Sequence, residues 1–66
     1  MSDDLRIIVI EDEMMIRSNI IKKINLIPGY TVIGEAADGE EGLKLIERLL
    51  PDLVVTDIKM PVMDGM

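Results

Sequence analysis

The chain has 66 residues with 13 acidic and 7 basic side chains, no cysteine and no histidine, and a formal net charge of −6 at pH 7. This length allows one small domain of marginal stability, and the acidic balance argues against nucleic-acid binding, which requires a basic patch. Without cysteine there is no disulfide or thiolate metal site, and without an apolar run of about 20 residues there is no membrane span, so we expect a cytoplasmic protein.

A continuous apolar run opens the chain. Leu5 to Ile10, interrupted only by Arg6, predicts a strand that is covered on both faces. Apolar residues then recur at helical spacing and predict a helix from Glu13 to about Asn25, with Asp12 as a candidate N-cap and Arg17 on the polar face. The apolar stripe of this helix consists of Ile16, Ile20, Ile21, Ile24 and Ile27.

A turn and a weaker strand come next. Pro28-Gly29 ends the first helix, and the residues from Tyr30 to Ala36 favour a second strand because several of them are β-branched or aromatic. Gly34 and Glu35 weaken this strand, which favours a position at the edge of a sheet.

A second helix is predicted from Glu40 to Leu50, between the turn signal Asp38-Gly39 and the helix-ending Pro51. Its apolar stripe is expected to consist of Leu43, Ile46 and Leu50, with Gly42 and Leu49 beside it.

The third strand is short and apolar, from Leu53 to Thr56. It completes two βαβ units, which predicts an α/β fold with parallel strands in the order 2-1-3 and makes the first and third strands neighbours. Because Asp64-Gly65 favours the start of a further element, we expect residues 1–66 to be the N-terminal half of a larger domain.

Three carboxylates follow these two neighbouring strands. Glu11 and Asp12 come directly after the first strand, and Asp57 comes directly after the third. Since open α/β folds bind ligands at the carboxyl ends of parallel strands, the three side chains are expected to share a pocket. Each group alone is more simply a charged loop or a cap, and only their joint placement favours a functional site.

Carboxylates that converge need a cation or a proton, because two unit charges 4 Å apart repel by about 4 kcal/mol at an effective dielectric constant near 20. Mg²⁺ accepts a small number of carboxylates together with phosphate oxygens. We therefore predict a Mg²⁺ site that consists of Glu11, Asp12, Asp57 and the backbone carbonyl of Lys59. Asp57, at the end of a buried strand, is predicted to be the nucleophile that forms an acyl phosphate.

Three stretches, Ile7 to Glu13, Gly34 to Leu43 and Pro51 to Met66, resemble the receiver domain of bacterial two-component response regulators. The resemblance is strongest to regulators with AraC-type DNA-binding outputs. It implies a flavodoxin-like (CheY-like) fold in which Asp57 accepts a phosphoryl group from a histidine kinase. It also implies that Mg²⁺ is bound by the four groups named above.

The chain departs from this family in two respects. Glu11 stands where the family more often has aspartate. The resemblance implies a receiver of five strands, so the last two strands and the last three helices lie outside these 66 residues. The Ser/Thr that senses the phosphoryl group and the Lys that pairs with it lie outside them as well. We therefore expect weak Mg²⁺ binding, no switching and at most weak self-catalysed phosphotransfer from this chain alone, and no enzymatic turnover.

Other interpretations fit less well. A phosphatase of the haloacid dehalogenase type would need an aspartate where Lys59 stands, and a dinucleotide-binding unit would need glycines in place of Glu11 to Glu13. The stronger alternative is a half-fold without a signalling role that forms a homodimer or larger assembly through the exposed third strand and the uncovered face of the sheet.

Overall fold

The computed structural model describes residues 3–56, which form three strands and two helices in the predicted order. These elements are β1 (Leu5–Ile10), α1 (Met14–Asn25), β2 (Tyr30–Ala36), α2 (Gly39–Leu49) and β3 (Leu53–Thr56). The bounds of all three strands agree with the prediction, and those of the helices agree within one residue. Within residues 3–56, neither helix is long and apolar enough to cross a membrane.

The sheet is parallel throughout and has the strand order β2-β1-β3, which confirms the predicted order. The central strand β1 forms the core, since Ile7, Ile8 and Val9 expose at most 1% of their surface. Successive residues of a strand point to opposite faces, so the burial of all three shows that both faces of β1 are covered. Coverage on both faces explains why β1 is apolar without alternation.

The edge strand β2 contains one irregularity. Ile7 of β1 lies opposite Val32, but Ile8 lies opposite Gly34, so Ile33 is an extra residue in the ladder. Such a bulge twists an edge strand and interrupts its row of free backbone groups. The position at the edge agrees with what Gly34 and Glu35 predicted.

Two glycines allow α2 to lie close to the sheet. Gly42 of α2 is buried against Ile10 of β1. A Cβ atom at Gly34 of β2 would lie 3.3 Å from Leu49 Cδ1 and 3.5 Å from Leu45 Cδ1. At Gly42 the helix and the strand approach too closely for a Cβ atom, whereas at Gly34 a Cβ atom would make a tight contact with α2.

The predicted apolar stripe of α2 is partly wrong. Leu43 and Leu50 are 56% and 72% exposed, whereas Leu45, Ile46 and Leu49 are half-buried. The contact face passes through Gly42, because the glycine brings the backbone closest to the sheet and the residues three and seven positions later follow on the same side.

The predicted N-cap of α1 is also wrong. Glu13, and not Asp12, is the N-cap, and the Glu13 side chain makes no capping hydrogen bond. α1 has no fully buried residue, and Ile16 at its start is 46% exposed. The isoleucine stripe is therefore covered only in part by the described strands.

Candidate functional site

A cleft of about 280 Å³ opens at the carboxyl end of β1. Ile10 lies opposite Thr56 in the β1–β3 ladder, so the ends of these two parallel strands are side by side at the cleft. This confirms that the first and third strands are neighbours. The described residues that line the cleft are Ile10, Glu11, Asp12, Ala37, Asp38, Gly39 and Thr56.

Glu11 is the buried carboxylate of the cleft, with 2% of its surface exposed. Its amide donates to the carbonyl of Ala36 at 3.0 Å, which extends the ladder between β1 and β2 by one residue. Its Oε2 atom accepts a hydrogen bond of 2.9 Å from the amide of Glu13. Because burial of a carboxylate is costly without such donors, these bonds fix both the backbone and the side chain of Glu11.

Arg17 provides a further contact to Glu11. Its Nη1 atom donates to the Glu11 carbonyl at 2.8 Å, and its Nε atom donates to Glu35 Oε1 at 2.7 Å. The side chain of Arg17 is 16% exposed and that of Glu35 is 55% exposed. The sequence pattern placed Arg17 on the polar face of the helix and did not indicate this contact. The sequence feature that could have indicated it is the position of Arg17, one turn into the helix that follows Glu11 and Asp12.

Asp38, for which the sequence pattern predicted only a place in a turn, adds a carboxylate to the rim of the cleft. Its Oδ1 atom accepts from the amide of Glu41 at 2.8 Å, so Asp38 is the N-cap of α2. In return, Glu41 Oε1 accepts from the amide of Ala37 at 3.1 Å. This reciprocal arrangement resembles a capping box and fixes the loop that forms one wall of the cleft.

The donor chemistry of the cleft fits Mg²⁺ in part. Glu11 and Asp12 both line the cleft and offer the carboxylate oxygens that this cation prefers. Among residues 3–56, no group of three or more acidic, histidine or cysteine side chains is arranged to hold a metal. The other two predicted ligands, Asp57 and the carbonyl of Lys59, lie outside the described residues.

Comparison with known protein sequences gives consistent matches. A family model for the response regulator receiver domain matches residues 7–66. The chain is 43% identical over 60 residues to the nitrate/nitrite response regulator protein NarL of Escherichia coli (strain K12). This match covers 91% of the chain and 28% of that protein. It is 46% identical over 65 residues to a protein-glutamate methylesterase/protein-glutamine glutaminase of Myxococcus xanthus. This match covers 98% of the chain and 18% of that protein. The chain therefore spans less than a third of the length of these relatives.

Solved structures show the same similarity. The signal receiver domain of a response regulator NarL from Mycobacterium tuberculosis has a TM-score of 0.83 and 36% identity, and the match covers 96% of the chain and 51% of that domain. A chain from the complex of the CheA3 P1 domain with CheY6 from R. sphaeroides has a TM-score of 0.75 and 34% identity, with coverage of 100% and 51%. None of these matches supports the narrower resemblance to regulators with AraC-type outputs.

Proposed function

Because the chain belongs to the response regulator receiver domain family, we propose that it is the phosphoacceptor part of a response regulator and that Asp57 receives the phosphoryl group. The parallel pairing of β1 with β3 carries this proposal. Ile10 lies opposite Thr56, and in the sequence these two residues are followed by Glu11 and Asp57. Since neighbouring parallel strands present their following residues at the same edge, we expect the carboxylate of Asp57 to lie beside that of Glu11.

The proposed reaction is a substitution at phosphorus. A carboxylate oxygen of Asp57 forms a bond to phosphorus while the bond to an imidazole nitrogen of the kinase histidine breaks, and that nitrogen retains the electron pair. The products are an acyl phosphate on Asp57 and an unmodified histidine. In this role the chain is a phosphoacceptor with at most weak self-catalysis, and not an enzyme that turns over.

We propose that Mg²⁺ is held by Glu11, Asp12, Asp57 and the carbonyl of Lys59. When bound, Mg²⁺ offsets the negative charge of the phosphoryl oxygens and of the carboxylates. The fixed conformation of Glu11 supports this assignment, because a ligand that is already oriented loses little conformational freedom when a cation binds.

The partner in this proposal is a histidine kinase. The chain is similar to one chain in the structure of the CheA3 P1 domain in complex with CheY6, which supports that choice. The coverage of 51% of the solved domains supports the further proposal that residues 1–66 are the N-terminal half of a receiver domain. A cytoplasmic location and the lack of direct nucleic-acid binding, both expected from composition and charge, stay predictions.

Incubation with Mg²⁺ and acetyl phosphate, followed by measurement of the intact mass, tests the phosphoacceptor role. We expect a minor fraction of the wild-type chain to gain one phosphoryl group, Asp57→Asn to gain none, and the control Asp3→Asn to match wild type. An adduct on Asp57→Asn, or none on wild type, would contradict the proposal. Complete conversion of wild type would contradict only the expectation that these 66 residues form an incomplete site.

The exposure of β3 favours a second proposal, self-association. Within residues 3–56, β3 pairs only with β1, and Leu53 of β3 is 42% exposed. A strand edge with free backbone groups is a template for pairing with a second copy. We expect sedimentation equilibrium to show a dimer or larger assembly that Leu53→Lys weakens, whereas a folded wild-type monomer over the whole concentration range would exclude it.

A further inference from the structure

We infer from the geometry that Arg17 is a positioning residue for the acidic cleft, which it serves by holding the backbone of Glu11 in place. The part of this inference that concerns metal binding rests on the proposed function. The part that concerns the conformation of Glu11 rests only on the described contacts. Arg17 lines no wall of the cleft and acts through Glu11.

Three of the hydrogen bonds that hold Glu11 are described above, and one of them comes from the side chain of Arg17. The amide of Glu11 is bound to Ala36, the Oε2 atom to the amide of Glu13, and the carbonyl to Arg17 Nη1. The bond from Arg17 holds the carbonyl of Glu11, on the short backbone segment that leads to the Glu13 amide, and that amide binds the Glu11 carboxylate.

The shape of the guanidinium explains why this position holds an arginine. Arg17 donates from Nη1 to the Glu11 carbonyl and from Nε to Glu35 Oε1, so one planar group connects the ends of β1 and β2 to α1. A lysine ammonium carries its three donors on a single atom and cannot reproduce this fork. Both bonds are charge-assisted, and the Arg17 side chain is only 16% exposed, which limits screening by water.

The charge of Arg17 is balanced within the same group of contacts. Its ion pair with Glu35, with an N–O distance of 2.7 Å, compensates the positive charge that would otherwise oppose a cation near Glu11. Arg17 therefore acts on the cleft through geometry. Glu35→Gln should leave the positive charge uncompensated and weaken cation binding even though the bond from Arg17 to Glu11 is kept.

Two measurements on the full 66-residue chain test this inference, with Arg17→Met as the variant and Arg48→Met as the control. The control removes the same charge by the same substitution from an exposed position on α2. The first measurement is amide hydrogen exchange by NMR, in which the Glu13 amide reports on the carboxylate of Glu11. The amide of Glu41, which caps α2 through Asp38, is the internal reference. The second is titration with Mg²⁺ alone.

We expect exchange at Glu13 to become about tenfold faster in Arg17→Met with no change at Glu41, and Mg²⁺ binding to become about tenfold weaker, while Arg48→Met leaves both unchanged. Unchanged exchange at Glu13 in a folded Arg17→Met chain, or equal acceleration at Glu13 and Glu41, would overturn the inference. If wild type binds no Mg²⁺, the selective effect at Glu13 still supports the role of Arg17, and only the proposed metal site fails. If Arg17→Met does not fold, the same measurements are made on Arg17→Lys, for which we expect the same selective acceleration of exchange at Glu13.

Discussion

Arg6 and Asp52 bind each other through two hydrogen bonds of 2.8 Å, from the Arg6 amide to Asp52 Oδ2 and from the Asp52 amide to the Arg6 carbonyl. The guanidinium of Arg6 also donates to the carbonyls of Leu49 and Leu50, at 2.7 and 2.9 Å. Arg6 therefore fixes the end of α2 and the start of β3 together. The start of β3 sets its register against β1, and a slip of one residue would turn every β3 side chain to the opposite face.

Asp52→Ala removes one of the two hydrogen bonds between these residues, the one from the Arg6 amide to the Asp52 side chain. We expect the free energy of unfolding to fall by about 0.5–1.5 kcal/mol, because the hydrogen bond from the exposed Arg6 amide is lost. Asp52→Asn keeps an acceptor oxygen and should cost less. Urea denaturation followed by circular dichroism measures both, with Glu47→Ala, at an exposed position on α2, as the control. Equal effects of Asp52→Ala and Glu47→Ala would show that the contact contributes nothing.

Leu50→Gly should stabilise the chain. Leu50 has a φ of 50° in the left-handed region, which costs a residue with a side chain about 1 kcal/mol relative to glycine. Since Leu50 is 72% exposed, little apolar contact is lost with its side chain. We expect a higher urea midpoint for Leu50→Gly, and a lower one for the control Leu43→Gly, which introduces glycine inside α2. A lower midpoint for Leu50→Gly would contradict this account.

Asp38→Ala removes the N-cap of α2. The Glu41 amide then loses the acceptor at 2.8 Å, and we expect a loss of about 1 kcal/mol in the free energy of unfolding. Asp38→Ser should retain most of the stability, because its hydroxyl can accept the same bond. Thermal denaturation of the three chains measures the difference. Equal destabilisation by alanine and serine would indicate that the charge of Asp38, and not the cap, is what matters.

Gly42→Ala and Gly39→Ala should have opposite effects on stability. A Cβ atom at Gly42 would lie under 3.0 Å from two atoms of Ile10, whereas nothing lies within 4 Å of one at Gly39. Overpacking of this kind costs about 1–3 kcal/mol and outweighs the gain in helix propensity of about 1 kcal/mol. We expect Gly42→Ala to lower the urea midpoint and Gly39→Ala to leave it unchanged or raise it. A raised midpoint for Gly42→Ala would show that Ile10 moves aside easily.

Local sequence patterns determined the elements of this protein and the edge of the sheet where the cleft lies. The strands from Leu5, Tyr30 and Leu53 have their predicted bounds, because β-branched and aliphatic runs between turn signals restrict the backbone locally. Right-handed crossovers and the doubly wound pattern of α/β folds then favour the strand order 2-1-3, which the structure has. Together these rules placed Glu11 at the cleft, without knowledge of any contact.

The tertiary structure alone decided which side chains hold that arrangement together. Arg6 and Asp52 are 46 residues apart, and Arg17 and Glu35 are 18 residues apart. No local period relates such residues, and each would serve equally well as a solvated surface charge. Their partners are set only when the packed sheet brings strand ends and helix ends within hydrogen-bonding distance. Packing also decided which side of α2 faces the sheet. At Gly42 the lack of a side chain lets the helix backbone come close to Ile10 of β1, and hydrophobic patterning does not count glycine as a contact residue.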